Sequence, residues 1–378
     1  MSRELTLKDL KNIVYASVLF GGGGGGSSIE GLELIEAMKK DGFTEHSMVS
    51  LEEMEAEENG KPVVSTMVAA LGSPTATKGQ TFIDESKNAI VAMKEAAESK
   101  GTVLKYIYSG EQGGGNTALP IYTAWKMGMP LLDIDGNGRA VPEMNTGLQP
   151  IYDVPTSPVT FGSGGGDTII AKTENPLDSA ACENIARHLC QAYGQGIGFS
   201  AWMMDKEQHR NSSIGMISLD IEVGNALAES TEENVLEKLE AALANAGRKL
   251  TVFTTGTISN IEMDAEGGFD TGFTTIESDT NETYKVLFQN ENLVCYKIGK
   301  DGKKETLATV PGIISLINMR PETEAYPVPV SNCETEIGQK VALVHVDAPE
   351  GWYRVPEGFE CWKEVLADAG YTDGEVRP

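Results

Sequence analysis

Residues equipped for chemistry gather between Glu111 and Glu143, in the stretch EQGGGNTALPIYTAWKMGMPLLDIDGNGRAVPE. Its carboxylates, Glu111, Asp133, Asp135 and Glu143, are of the kind that act as general bases or hold hard divalent ions. Its glycines, Gly113 and Gly114 among them, let the backbone approach a ligand closely. One cation, Arg139, stands between Asp135 and Glu143 and can pair with either.

The run DIDGNG, Asp133 to Gly138, resembles the start of a calcium-binding EF-hand loop. That reading fails further on, because Met144 stands where the loop needs its last glutamate and Pro142 intrudes on the exit helix. A different divalent metal held by Asp133, Asp135, Glu111 or Glu143 stays open, its identity unspecified. Beside it stands a structural reading, in which these side chains bond the N–H groups of their own turn. The histidines His46, His188, His209 and His345 form no HExxH or His-x-His pair, and His345 with Asp347 reads as a satisfied surface pair. No GxSxG elbow is present, and Cys182, Cys190, Cys295, Cys333 and Cys361 show no CxxC spacing.

The elements that must position this stretch are two strands and a helix: LKYIYSG, then IYTAWKMG, then PLLDIDG. In a right-handed βαβ unit both polar loops reach the same carboxyl edge of a parallel sheet, where ligands bind. Upstream, Leu5 to Lys11 reads as a short helix and NIVYASVLF as a buried strand entering the glycine run Gly21 to Gly26. SSIEGLELIEAMKKDG then reads as a helix, so that strand, glycine turn and helix N-terminus would form an anion-binding corner at Gly23, Gly24 and Gly25. Gly21, Gly23 and Gly26 also satisfy G-x-G-x-x-G, but an unbroken glycine run satisfies almost any glycine pattern, and a tight turn or small-anion loop is the preferred reading. HSMVSLEE and KPVVSTMVAALG read as strands, the latter running into a Ser/Thr/Gly/Pro loop, and FIDESKNAIVAMKEAAESKG as a helix closed by Gly101.

The proline-rich stretch Asn145 to Ser163 suggests a domain boundary near residue 165, giving an α/β domain over 1–165 and a second domain over 166–378. GSGGGD at 162–167 reads as a hairpin turn, Leu177 to Tyr193 and the segment after Thr231 as helices, and GMISLDIEVGNALAES as ambiguous. After Lys249, short glycine-punctuated runs of β-type residues read as sheet or barrel. The fold class expected is therefore an α/β N-terminal domain with a mixed, β-rich α+β C-terminal domain.

With 56 acidic against 30 basic residues and a formal net charge of −26, the field repels polyanions, and no basic cluster offers nucleic acid a local site. MSRELTLKDLKN is a charged start unlike a signal peptide, and the longest apolar run, Ile13 to Phe20, is too short to cross a bilayer. A reducing cytoplasm, no membrane partner, a small-molecule substrate and a homo-oligomer are the expectations.

The central stretch resembles the E-x-G-G-x-N…G-x-P-x-x-D-x-D-G-x-G-R-A-x-P-E signature of the S-methyl thiohydantoin desulfurase family, often described as hydantoinase-like. The resemblance extends through MMDKEQHRNSSIGMISLDIEVGNAL, GGFDTGFTTIE, FQNENL and VPGIISLINMRPETEAYPVPVSNCETEIGQKVALVHVDAP. The chain departs from the pattern at Ser27 and Ser28, where such sequences often have Asp-Pro. What the resemblance implies is hydrolysis at C2 of an S-methylated thiohydantoin ring, with release of methanethiol. It implies Asp133 or Asp135 as base or metal ligand, Glu143 as partner and Arg139 as orienter. Glu111 and Asn116 would contact the ring, and the glycine loops at Gly113, Gly114 and Gly23 to Gly25 would meet its carbonyls. Ring opening, as in hydantoinases and oxoprolinases, is one alternative, and a non-catalytic subunit that binds a small anion is another.

Overall fold

A computed structural model describes residues 3–72, 80–266 and 269–372. The Ser/Thr/Gly/Pro loop expected after KPVVSTMVAALG falls largely on 73–79, outside the described residues. Two sheets organise the chain. The first takes strands Arg3–Thr6 (β1), Glu45–Val49 (β2), Glu57–Glu58 (β3), Lys61–Gly72 (β4), Val103–Ser109 (β5), Leu131–Asp135 (β6), Val159–Gly162 (β7), Thr168–Ala171 (β8), Gly196–Met204 (β9) and Ser213–Ile214 (β10). Its order is β1-β2-β6-β5-β4-β9-β7-β8, with β10 beside β6 and β3 beside β4. The strands β2, β6, β5 and β4 run parallel, and the outer pairings are antiparallel.

The second sheet is antiparallel throughout. It comprises Leu250–Glu266 (β11), Phe269–Ser278 (β12), Thr283–Gln289 (β13), Glu291–Ile298 (β14), Lys304–Thr309 (β15), Ile313–Asn318 (β16), Val328–Val330 (β17) and Lys340–Val346 (β18), in the order β15-β14-β13-β12-β11-β18-β16-β17. An α/β half and a β-rich half are what the residue pattern required. Residue 165 lies in the hairpin joining β7 to β8, and β9 lies beside β4, so the first sheet draws strands from both sides of that position.

The helices that matter for the site are Leu7–Gly21 (α1), Ser28–Lys40 (α2), Ile83–Ser99 (α3), Gly114–Met127 (α4), Leu148–Ile151 (α5), Ser179–Ala192 (α6) and Met216–Ala228 (α7). Here one expectation is corrected: NIVYASVLF is not a strand but the body of α1. A capping box between Thr6 and Asp9 starts the helix, and Gly22, with φ 57°, ends it. From Ile13 to Gly21 every residue is buried, because α1 packs against α2, α4 and α7 on one side and β16 and β17 on the other. A helix enclosed all round has no polar stripe, and so its sequence carries no 3.6-residue period to distinguish it from a buried strand. The ambiguous segment before Ser230 is likewise a buried helix, α7.

Since a helix precedes Gly21–Gly26, the strand–turn–helix corner does not form. The N-terminus of α2 is instead served by Glu30, whose carboxylate accepts from Ser27 N, and by Glu334, which accepts from Ser28 N at 3.2 Å and Ser28 Oγ at 2.5 Å. The chain's own carboxylates thus fill the place proposed for an anion.

The glycine turn is instead a junction. Gly22 O accepts from Asn292 N at 2.7 Å, Gly23 O from Asn332 N at 2.8 Å, Gly25 O from Asn116 N at 3.1 Å and Gly26 O from Gly114 N at 3.2 Å. A Cβ on Gly113 would strike the backbone of Gly25, and one on Gly25 would strike Gln112 O. Both residues also have positive φ, 148° and 74°. Gly113→Ala should therefore cost about 3 kcal/mol or more of unfolding free energy in denaturant melts. Gly166→Ala, at positive φ in an open hairpin, should cost about 1 kcal/mol.

Candidate active site

The βαβ unit β5–α4–β6 brings residues 110–113 and 136–143 to the carboxyl edge of the parallel strands, as expected. Over that edge lies a cleft of about 700 Å³, its solvent-open mouth included. Its polar lining is Glu111, Asn116, Asn137, Glu143, Glu183 and Arg187, and Met67, Phe199 and Trp202 stand on its apolar side. Pairing of β4 with β9 slips between Ser65 and Met67, where Trp202 and Met203 oppose Thr66 alone. This bulge holds Trp202 at φ 49°, a conformation that residues with side chains rarely adopt, and turns it toward the cleft.

Glu111 is the central group. Asn116 Nδ2 donates to its Oε1 at 2.5 Å and Val141 N to its Oε2 at 2.8 Å, which ties the loop after β5 to the loop after β6. Burial, reinforced by the negative charge of Glu291, pushes this carboxyl from the usual 4.5 up to about 8. It therefore carries a proton at neutral pH and can donate it. Glu143, half-buried, is also raised, by burial first and then by neighbouring Glu183. Glu183 is held by Arg187 Nη2 at 2.6 Å and by Met144 N at 2.9 Å.

The remaining expected residues lie elsewhere. Asp133 accepts from Ser218 N at 2.9 Å and Ser218 Oγ at 2.6 Å, capping the first turn of α7. Asp135 is fully buried and accepts from Ser109 Oγ, Gln112 Nε2, Asn137 N and Gly138 N, so its oxygens shape the turn after β6. Burial lifts it to about 6 against the opposing pull of those donors. Arg139 pairs with neither Asp135 nor Glu143. It is wholly enclosed, with Nε on Ala140 O at 2.8 Å and Nη1 on Pro311 O at 2.7 Å and Gly312 O at 3.0 Å, and its guanidinium lies 4.6 Å from the Trp362 ring centroid. Gly113, Gly114 and Gly23 to Gly25 form the junction behind the cleft and are not among its lining residues.

The four carboxylates expected as a ligand set do not converge, and among the described residues no three His, Cys, Asp or Glu side chains are grouped to hold a metal ion. His345 is buried on β18 rather than forming a surface pair, and burial pushes it down to about 4. Four acidic or aromatic residues near the junction and cleft escaped the sequence reading. Glu183 had a legible signal, its i,i+4 spacing to Arg187 on an evident helix. Glu291 sits in FQNENL, a segment noticed but given no role. Trp202 and fully buried Asp220 had none. Burial and the charge of Asp135 raise the Asp220 carboxyl, which Gln112 approaches without hydrogen-bond geometry.

Models described as S-Me-THD-like, N-terminal domain, and S-Me-THD-like, C-terminal domain, match residues 8–173 and 177–364. A solved protein from Chromobacterium violaceum is 23% identical and superposes with a TM-score of 0.83, over 100% of this chain and 99% of that one. At that identity the likeness speaks for the fold alone. The chain matches no curated protein. No helix among the described residues is long and apolar enough to cross a membrane.

The state of Glu111 is open to measurement. Between its unfolded value near 4.5 and its folded value near 8, the folded chain keeps a proton that the unfolded chain has released, so this group's contribution to stability falls as pH rises through that window. Glu111→Gln abolishes the titration. Its amide can keep both contacts if Asn116 flips to present its oxygen. The melting temperature of the variant relative to wild type should rise by a few degrees from pH 5 to pH 8, read by calorimetry.

Proposed function

The chain belongs to the S-methyl thiohydantoin desulfurase family, and from that premise we propose that the cleft over β5 and β6 hydrolyses an S-methylated thiohydantoin to the hydantoin and methanethiol. The observation that carries this reading is the placing of two carboxyls, Glu111 and Glu143, on one cleft, where burial raises the Glu111 carboxyl and so favours its protonated form. Paired carboxyls in different environments divide the acid and base work between them.

In the proposed sequence Glu143 takes a proton from water as its oxygen bonds to C2. Glu111 gives a proton to the ring nitrogen, whose double bond to C2 opens. The tetrahedral intermediate then collapses: the C2–S bond breaks, the new hydroxyl returns its proton to Glu111, and Glu143 protonates the departing methanethiolate. Water is consumed, thiol and hydantoin leave, and both carboxyls regain their starting states. Asn116 orients Glu111, and Met67, Phe199 and Trp202 offer the apolar face against which a flat ring packs.

The test is to incubate the purified protein with S-methyl thiohydantoin, thiohydantoin and hydantoin, following thiol release and ring opening separately. Thiol without ring opening is expected. Ring opening alone would move the reaction to the hydantoinase type, and inert substrates would sink the reading. Glu111→Gln should lower kcat at least about a hundredfold. Wild-type kcat/KM should fall as pH passes about 8, where Glu111 loses its proton.

A further inference from the structure

Behind the cleft, a second carboxyl stands close to Glu111. Glu291, the first residue of β14, is 3% exposed, and its carboxyl occupies the space that a Cβ on Gly24 would need. On the other side of the same turn, Gly25 O holds Asn116 N, and Asn116 Nδ2 holds Glu111. Two residues of the glycine turn therefore separate the carboxyls. The backbone beside Glu291 is held in place, because its neighbour Asn292 donates its backbone N–H to Gly22 O at 2.7 Å and its Nδ2 to Ile314 O at 3.0 Å.

Arg139 faces Glu291, yet its Nη2 and Glu291 Oε2 are both buried and neither has a hydrogen-bond partner among the described residues. The two are coupled through charge without a closed ion pair. Burial lifts the Glu291 carboxyl itself to about 7, so it carries its charge above that pH; the field is then incompletely cancelled, and in a low-dielectric interior it reaches Glu111. We propose that Glu291 is a positioning residue of the site, whose negative charge keeps the proton on Glu111 and directs the Arg139 guanidinium; the proposal rests on Glu111 as proton donor.

The charged groups around Glu111 are Asp135 from β6, Arg139 and Glu143 from the loop that follows it, Glu183 and Arg187 from α6, and Glu291 from β14. Those facing Glu291 are Arg139 and Glu111. Above about pH 7, where Glu291 is charged, Glu291→Gln removes one like charge from Glu111 and leaves the others, so Glu111 gives up its proton at lower pH, whereas near pH 6 the substitution changes little. The deficit in kcat/KM relative to wild type should then grow about fivefold between pH 6 and pH 8. A deficit constant across pH would mark a merely structural role and overturn the proposal.

A second readout needs no turnover. The infrared band of a protonated carboxyl that is absent from Glu111→Gln should disappear at lower pH in Glu291→Gln than in wild type. If wild type releases no thiol from any substrate while this band still moves, the proposed reaction falls and the inference stands. If thiol is released and the band does not move, the reverse holds. Should Glu291→Gln fail to fold, Glu291→Asp, which keeps the charge but withdraws it from Gly24, should move the band in the same direction by less. An unmoved band in that variant overturns the proposal.

Discussion

Two glycine turns pressed backbone against backbone are the constraint on which the rest depends. Gly25 and Gly113 stand so close that neither can carry a side chain, and Gly26 O, Gly25 O, Gly114 N and Asn116 N bond across the contact. That contact fixes the N-terminus of α4, and with it the position of Glu111 over the parallel strands. Through Gly22 O and Gly23 O the same turn also clamps Asn292 and Asn332 of the β-rich half. One turn therefore joins both sheets, and it does so with backbone groups that would otherwise be buried without partners.

Close approach of the two halves explains the electrostatics. Asp135, Glu291 and Arg139 are shielded from water and Glu111 is partly so, at the wall of the cleft, and burial is the leading cause of each shift. Asp135 spends its oxygens on four donors and works as a fastener, whereas Glu111 accepts only two and borders the cleft. Arg139 reaches across to the carbonyls of Pro311 and Gly312, so its loss would leave acceptors unpaired in both halves. The division between carboxyls that build the turn and carboxyls that border the cleft thus follows from how many donors each already serves.

Much of this was legible in the residues. The βαβ unit, the helices α3 and α6, and the β-rich half carry clear periodicity, and the stretch from Glu111 to Glu143 does supply much of the polar wall of the cleft, which Glu183 and Arg187 complete. What was not legible has a common cause. The helix α1 is buried on every side, so its apolar run imitates a strand. Asp133, Asp135 and Arg139 have the composition of a catalytic set, but which hydrogen-bond partners they meet depends on Ser218, Ser109 and Pro311, which are distant in sequence or unremarkable in type. Glu291 becomes significant only when Gly24 is placed against it.

The most direct test of the account is the structure of the protein with the hydantoin product bound. The ring should lie in the cleft between Glu111 and Glu143, packed on Trp202, with a ring nitrogen within hydrogen-bond distance of the Glu111 carboxyl. A ring bound elsewhere, or one that leaves Glu111 without contact, would contradict the assignment of this cleft as the active site.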